Sequence, residues 1–191
     1  MPRDSGSWRA IVLADGTVDS VADQGTTHHR NAPRPDVTVE RVAADVTYPL
    51  RQRVLRPGRP PAAARFDIDD EPSTASFAAR TPDGEVVATA VVYPETCPWL
   101  PDRAGAWRLR GMATAPDRRG RGIGTLVLRA ALAHVAASGG DLVWCNARVP
   151  ARRLYERAGF RTHGVPWEDP EIGPHIAMWL DLGGVARTPG P

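Results

Sequence analysis

The sequence predicts an α/β domain built on a mixed, mostly antiparallel twisted sheet of about six to seven strands, with helices on both faces. Three observations favour this class. Two strand-like segments within 75–93 are joined by the turn Thr81-Pro82-Asp83-Gly84, as in an antiparallel hairpin. The stretch 120–138 places apolar residues at helical spacing and is stopped by Gly139-Gly140. Residues 141–146 contain a continuous apolar run, the pattern of a strand covered on both faces.

The other elements follow in chain order from the same patterns. Residues 37–42 alternate as a strand does, and apolar residues then recur at helical spacing until Arg56-Pro57-Gly58 breaks the helix. A later short helix has Pro150 near its start and Gly159 after its end. Together these patterns predict strands over 37–42, 75–80, 85–93, 106–114, 141–146 and 175–182, and helices over 43–55, 120–138 and 150–158.

The length of 191 residues suits one domain with an appendage. Segment 1–36 is poorer in apolar residues than the rest, so we interpret it as an N-terminal appendage. It is either partly disordered or a hairpin around Asp15-Gly16. The domain itself is expected over 37–183, and 184–191 form a C-terminal tail rich in Pro and Gly.

Composition excludes several classes of function. All 24 basic residues are Arg, so neither a Schiff-base lysine nor a Walker lysine exists. Two cysteines are too few for a disulfide framework or a cysteine-rich zinc site, and we expect no metal. A net charge of +2 and the lack of a long apolar run argue against nucleic-acid and membrane partners. With no signal peptide in evidence, the sequence predicts a cytoplasmic protein.

The most informative segment is 114–126, where a strand, a turn, a glycine-rich loop and a helix start follow one another. Successive glycines let backbone N–H groups turn toward one point, and a helix N-terminus adds partial positive charge there. Arg119 and Arg121 add full charges, so the segment is suited to a pyrophosphate. A plain strand-to-helix turn is the alternative. A Rossmann loop is disfavoured, because such a loop stands near the start of its βαβ unit and here several antiparallel strands precede the glycine-rich loop.

Two signatures resemble the GNAT (Gcn5-related) N-acetyltransferases. The run Arg119, Gly122 and Gly124 resembles the Arg-x-x-Gly-x-Gly of their motif A. About 35 residues later, 151–160 resembles their Ala-x-x-Leu-Tyr-x-x-x-Gly-Phe signature. The resemblance covers 37–182, and stretches such as 109–114 are similar to a bacterial subgroup of uncharacterised members.

The resemblance implies that acetyl-CoA binds between strands 106–114 and 141–147, which splay apart. The pantetheine arm is expected on the main chain of the first strand and the pyrophosphate on the loop after it. The implied cofactor site consists of Met112, Ala113, Thr114, Arg119, Gly120, Arg121, Gly122, Ile123, Gly124, Thr125 and Asn146. Arg148 stands where many members carry Asn, and the sequence leaves open whether Asn146 takes over that hydrogen bond.

The resemblance also implies direct attack of a primary amine on the thioester. Tyr155 holds the family position of the general acid that protonates the leaving thiolate; the alternative is a tyrosine that packs its helix on the sheet. The general base is harder to name. Glu95, at the end of the third strand, is one candidate, and the acidic group Asp69, Asp70 and Glu71 is another. Each has the plainer interpretation of a solvated carboxylate.

Arg110 is a charge inside a central strand and needs a partner. Either it pairs with a structural acid, or it faces the acceptor and binds a carboxylate. We expect the acceptor to be a small-molecule amine. A homodimer is left open. The alternative to an enzyme is a non-catalytic acyl-CoA-binding sensor or partner domain of the same fold.

Overall fold

The computed structural model describes residues 36–183 and two short strands near the N-terminus, β1 (Ile11–Val12) and β2 (Val18–Asp19), which pair antiparallel. The Asp15-Gly16 turn predicted for the appendage, the rest of residues 1–35 and the tail 184–191 lie outside the described residues.

The order of elements confirms the predicted α/β class. The further elements are β3 (Thr38–Val42), α1 (Tyr48–Leu55), β4 (Ala75–Arg80), β5 (Val86–Pro94), β6 (Ala106–Thr114), α2 (Ile123–Ala137), β7 (Leu142–Arg148), α3 (Arg152–Arg157), β8 (Arg161–Asp169) and β9 (Gly173–Asp181). Short 3-10 helices span Ala44–Thr47, Pro61–Ala64, Asp67–Asp70, Pro116–Arg118 and Val149–Ala151. Strands β3 to β9 form one sheet in the order β3-β4-β5-β6-β7-β9-β8. Within this sheet, β6 and β7 are the parallel pair and all other neighbours are antiparallel.

Helices cover both faces of the sheet. Neighbouring residues of a strand point to opposite faces, so each strand can contact a helix on either side. On β4, the Ser76 hydroxyl accepts a hydrogen bond from Arg51 of α1, whereas the next residue, Phe77, contacts His134 of α2. Helix α3 lies beside α2, where Leu154 comes close to Gly124. No helix of the described part is both long and apolar enough to cross a membrane.

Strand β8 was not predicted from the sequence. It is one of the two edge strands of the sheet, and eight of its nine residues are exposed. Because neither face is buried, its sequence shows no apolar alternation. Gly164 and Pro166 also suggest a turn, and Gly164 does sit at a break in register, with φ +66°. Only the pairing with β9 reveals the strand.

The parallel strands β6 and β7 separate soon after they meet. They pair only from Ala106 to Arg108, opposite Leu142 to Trp144. On its other side, β6 shifts register against β5 around Gly111, which has φ +61°. A Cβ at Gly111 would lie 3.0 Å from Val91 Cγ2, so both the backbone conformation and the space favour glycine. The separation and the bulge open a gap in the middle of the sheet.

Candidate active site

A cavity of about 330 Å³ occupies the gap between β6 and β7. Its walls come from these two strands, the segment after α1, helix α3 and the β8–β9 hairpin. Of the site residues predicted from the sequence, the cavity brings together Arg110, Met112, Asn146 and Tyr155. Glu95 is not among its lining residues. The glycine-rich loop follows the C-terminal end of β6, so it lies at the open end of the gap.

The loop after β6 presents a row of free backbone donors. Among the described residues, the N–H groups of 120–124 donate to no acceptor. The two flanking predicted residues are engaged: the Arg119 N–H donates to the Pro116 carbonyl at 3.4 Å, and the Thr125 N–H donates to the Gly122 carbonyl at 3.0 Å. Five unpaired donors at the start of α2 are suited to an anion such as a pyrophosphate.

Glycine serves two different purposes in this loop. Gly120 and Gly122 have φ of +75° and +81°, and a Cβ on either would meet nothing within 4 Å. They permit the left-handed turns and leave the donors uncovered. Gly124 is instead a packing residue, because a Cβ there would lie 3.0 Å from Thr114 Oγ1. The Arg119 side chain closes the loop onto β6, since its Nε donates to the Thr114 carbonyl at 3.2 Å.

Tyr155 reaches the cavity from α3. Its ring is buried and meets Phe160 edge-on, with the ring centroids 5.5 Å apart. Among the described residues its hydroxyl makes no hydrogen bond, and the residue lines the cavity. Burial raises the pKa of the Tyr155 phenol well above its ordinary value, and Cys145 adds to the rise. The phenol is therefore protonated at neutral pH, and no described residue competes for its proton.

Glu95 lies in an ion pair beside the cavity. Both of its carboxylate oxygens accept from Arg108 Nη1, at 3.0 and 3.2 Å. The Arg108 guanidinium stands over the Trp144 ring at 4.5 Å, and the Trp144 indole N–H donates to the Glu95 backbone carbonyl at 3.0 Å. Arg108, rather than Glu95, lines the cavity. The carboxylate thus holds Arg108 in place.

Arg110 lines the cavity without a carboxylate partner among the described residues. Its guanidinium lies 4.3 Å from the centre of the Phe66 ring, and it interacts with the Tyr93 hydroxyl. Burial raises the pKa of Tyr93, and the charges of Arg108 and Arg110 oppose that rise. The structural acid that the sequence left open for Arg110 is absent from residues 36–183.

A buried ion pair that the sequence did not reveal supports the cavity wall around Phe66. Arg51 Nη1 lies 2.7 Å from Asp69 Oδ2, and both side chains are almost fully buried. Asp69 Oδ2 also accepts the Phe66 backbone N–H at 2.8 Å, and Arg51 lies 4.6 Å from the Phe66 ring. Asp69 is therefore structural and does not face the acceptor. Its neighbour Asp70 pairs with Arg65 at the surface.

Aromatic residues complete the walls. Trp167 and His175 line the cavity, and His175 Nδ1 lies 2.6 Å from the Gly173 carbonyl. Trp99 does not line the cavity; it stacks on His163 and meets Trp144 edge-on. Among residues 36–183 no cluster of three His, Cys, Asp or Glu side chains could hold a metal ion.

Comparison with known proteins identifies the family. The model of the acetyltransferase (GNAT) family matches residues 45–160. The chain is 33% identical over 144 residues to the uncharacterized N-acetyltransferase YitI of Bacillus subtilis, an alignment that covers 75% of this chain and 95% of that protein. The chain belongs to the GNAT family, as its two signatures predicted, and is thus an acyltransferase.

Solved structures share the fold at lower identity. The ribosomal-protein-S18-alanine N-acetyltransferase of Escherichia coli has a TM-score of 0.61 and 17% identity, and covers 81% of this chain and 99% of its own. A Gcn5-related N-acetyltransferase from Kribbella flavida has a TM-score of 0.60 and 19% identity, covering 77% and 98%. These likenesses confirm the predicted fold.

Proposed function

We propose that the protein transfers the acetyl group of acetyl-CoA to the nitrogen of a primary amine, with Tyr155 as the general acid. The observation that carries this proposal is the phenol of Tyr155 in the gap between β6 and β7, which has no hydrogen-bond partner within the described residues. A proton donor without a partner, placed in a cavity that the strands hold open, is suited to protonate a leaving group there.

The loop at the open end fits the pyrophosphate of acetyl-CoA. It supplies the free N–H groups of 120–124, with Arg119 and Arg121 for charge. The pantetheine arm would then run back along β6, past Thr114, Ala113 and Met112, where β7 no longer pairs with β6. Asn146, which is exposed and lines the cavity, is placed to bind the arm from the other strand.

When bound, acetyl-CoA supplies an activated thioester. In the proposed reaction the amine nitrogen forms a bond to the carbonyl carbon, the carbon–sulfur bond breaks, and the sulfur leaves with the electron pair. Tyr155 gives its proton to that sulfur and regains one from solvent. The proton lost by the amine passes to water, because the cavity opens to solvent near exposed Trp167. Orientation in the cavity supplies much of the remaining rate enhancement.

Glu95 takes no proton in this scheme. Both of its oxygens contact the Arg108 guanidinium, so a base at this position would first have to give up an ion pair. Its proposed part is to position Arg108 on the cavity wall.

The test is Tyr155→Phe, which removes the proton donor and keeps the ring. Release of free CoA is measured with a panel of primary amines, and acetyl-CoA binding is measured by calorimetry. We expect kcat to fall about 100-fold and the acetyl-CoA Kd to stay the same. Tyr48→Phe is the matched control, because Tyr48 does not line the cavity, and it should keep full activity.

Turnover of Tyr155→Phe within about threefold of the parent would refute the general-acid role. Acetyl-CoA binding without turnover of any amine would favour the alternative function, a non-catalytic acyl-CoA-binding domain. Failure to bind acetyl-CoA would overturn both.

A further inference from the structure

We infer that the acceptor carries a carboxylate as well as its amine, and that Arg110 is the residue that binds this carboxylate. This inference rests on the proposed acetyl transfer and names the class of its acceptor. It starts from a comparison of three guanidinium groups on the α1 face of the sheet, two of which have a carboxylate partner.

The three arginines differ in how their charge is met. Arg51 pairs with Asp69 and Arg108 pairs with Glu95, each within 3.0 Å. Arg110 contacts the same Phe66 ring as Arg51 and interacts with Tyr93, as Arg108 does, and it has no carboxylate partner among the described residues. A partly buried guanidinium without a counter-charge is unfavourable unless a ligand supplies one.

Arg110 is nevertheless held in one place. Its guanidinium lies 4.3 Å from the Phe66 ring centre and interacts with the Tyr93 hydroxyl. Phe66 is anchored in turn, because its N–H donates to the buried Asp69 carboxylate at 2.8 Å. Contacts with a ring and a hydroxyl orient the guanidinium but leave its charge unneutralised. An oriented guanidinium suits a carboxylate, which it can bind through two parallel hydrogen bonds.

The position of Arg110 assigns it to the acceptor rather than to CoA. The phosphate-binding loop follows the C-terminal end of β6, beyond Thr114. Arg110 lies on the other side of the Gly111 bulge, two residues from the last pair between β6 and β7, Arg108 with Trp144. A cofactor arm that runs back from the loop reaches the Gly111 bulge before it reaches Arg110. Arg110 would therefore face the acceptor, which lies beyond the thioester.

The other charges around the cavity agree with an anionic acceptor. Arg56 and Arg148 also line it, and each donates to the Leu55 carbonyl at 3.0 Å. The lining acid Asp169 accepts the N–H groups of Glu171 and Ile172. A polyamine would therefore meet mainly positive charge, whereas an amine that also carries a carboxylate would find a partner.

The experiment compares matched pairs of acceptors, amino acids and the amines formed by removing their carboxyl group. We expect the parent protein to acetylate the carboxylated member with at least about tenfold higher kcat/KM. Arg110→Met should abolish that preference and leave the acetyl-CoA KM unchanged, and Arg110→Gln serves as a second variant that keeps a polar group. Arg53→Met is the control, because Arg53 is exposed on α1 and should keep the preference.

A binding measurement separates this inference from the proposed reaction. N-acetyl amino acids and the matching N-acetyl amines are titrated into the protein with CoA present. Tighter binding of the carboxylated series by the parent, lost in both Arg110 variants, supports the inference even if no amine is turned over. Equal binding of the two series by the parent, or a preference that survives in both Arg110 variants, would overturn it.

Discussion

Replacing Asp69 by Asn should destabilise the protein far more than its place in a short 3-10 turn suggests. Asn keeps the shape of the side chain and an oxygen that can accept the Phe66 N–H. It removes the charge opposite Arg51, whose own side chain is 1% exposed. The change therefore leaves a guanidinium cation buried without a counter-ion.

The structure sets the size of this effect. Arg51 Nη1 contacts both Asp69 oxygens, at 2.7 and 3.0 Å, and neither side chain is screened by water. Breaking a buried pair of this kind costs about 3–5 kcal/mol. Against a typical total of about 5–15 kcal/mol, that is a large share of the free energy of unfolding. With a urea m-value of about 1–3 kcal/mol/M, the midpoint should fall by at least about 1 M.

Urea unfolding followed by tryptophan fluorescence measures this change. Asp70→Asn is the control, since its pair with Arg65 is exposed and should contribute less than about 1 kcal/mol. Adding Arg51→Met to Asp69→Asn should restore part of the stability, because no buried cation remains. If Asp69→Asn and Asp70→Asn cost the same small amount, or if the second substitution destabilises further, the buried-charge account is wrong.

Two further predictions concern the loop and the response to acid. Gly122→Ala forces a side chain into a φ of +81° without any clash, and we expect the acetyl-CoA affinity measured by calorimetry to fall about tenfold. Gly139→Ala is the control, because Gly139 has a φ of +80° and equal space but lies at the far end of α2. It should strain the backbone to the same degree and leave acetyl-CoA binding unchanged. Burial lowers the pKa of His134, and the charge of Arg41 adds a smaller lowering. The unfolded chain therefore takes up a proton at His134 more readily than the folded protein does. As a result, the free energy of unfolding should fall as the pH drops below about 6.5. Between about pH 7.5 and 5.5 this loss should be smaller in His134→Leu, and an equal loss in both proteins would contradict it.

Local patterns determined most of the elements and part of the site. The bounds 106–114 of β6 could be predicted because a strand ends where Pro116 follows, and α2 because its apolar residues recur at helical spacing. Gly120 and Gly122 adopt φ of +75° and +81°, a conformation that glycine permits and that local sequence is enough to allow. Tyr155 could be singled out from its surrounding signature, although only the structure shows that it lines the cavity and that its hydroxyl has no partner in the described part of the chain.

Tertiary structure alone decided which charges meet and where the sheet opens. Glu95 joins Arg108 across 13 residues and Asp69 joins Arg51 across 18, separations at which no periodicity in the sequence links two side chains. The same holds for β8, whose exposed residues carry no pattern until β9 pairs with them. The gap between β6 and β7 arises because two strands that are parallel at Arg108 and Trp144 then diverge, and divergence is a relation between strands rather than a property of either one. Sequence therefore determined the chemistry available on each element, and packing determined that Arg110 would have no carboxylate partner among residues 36–183.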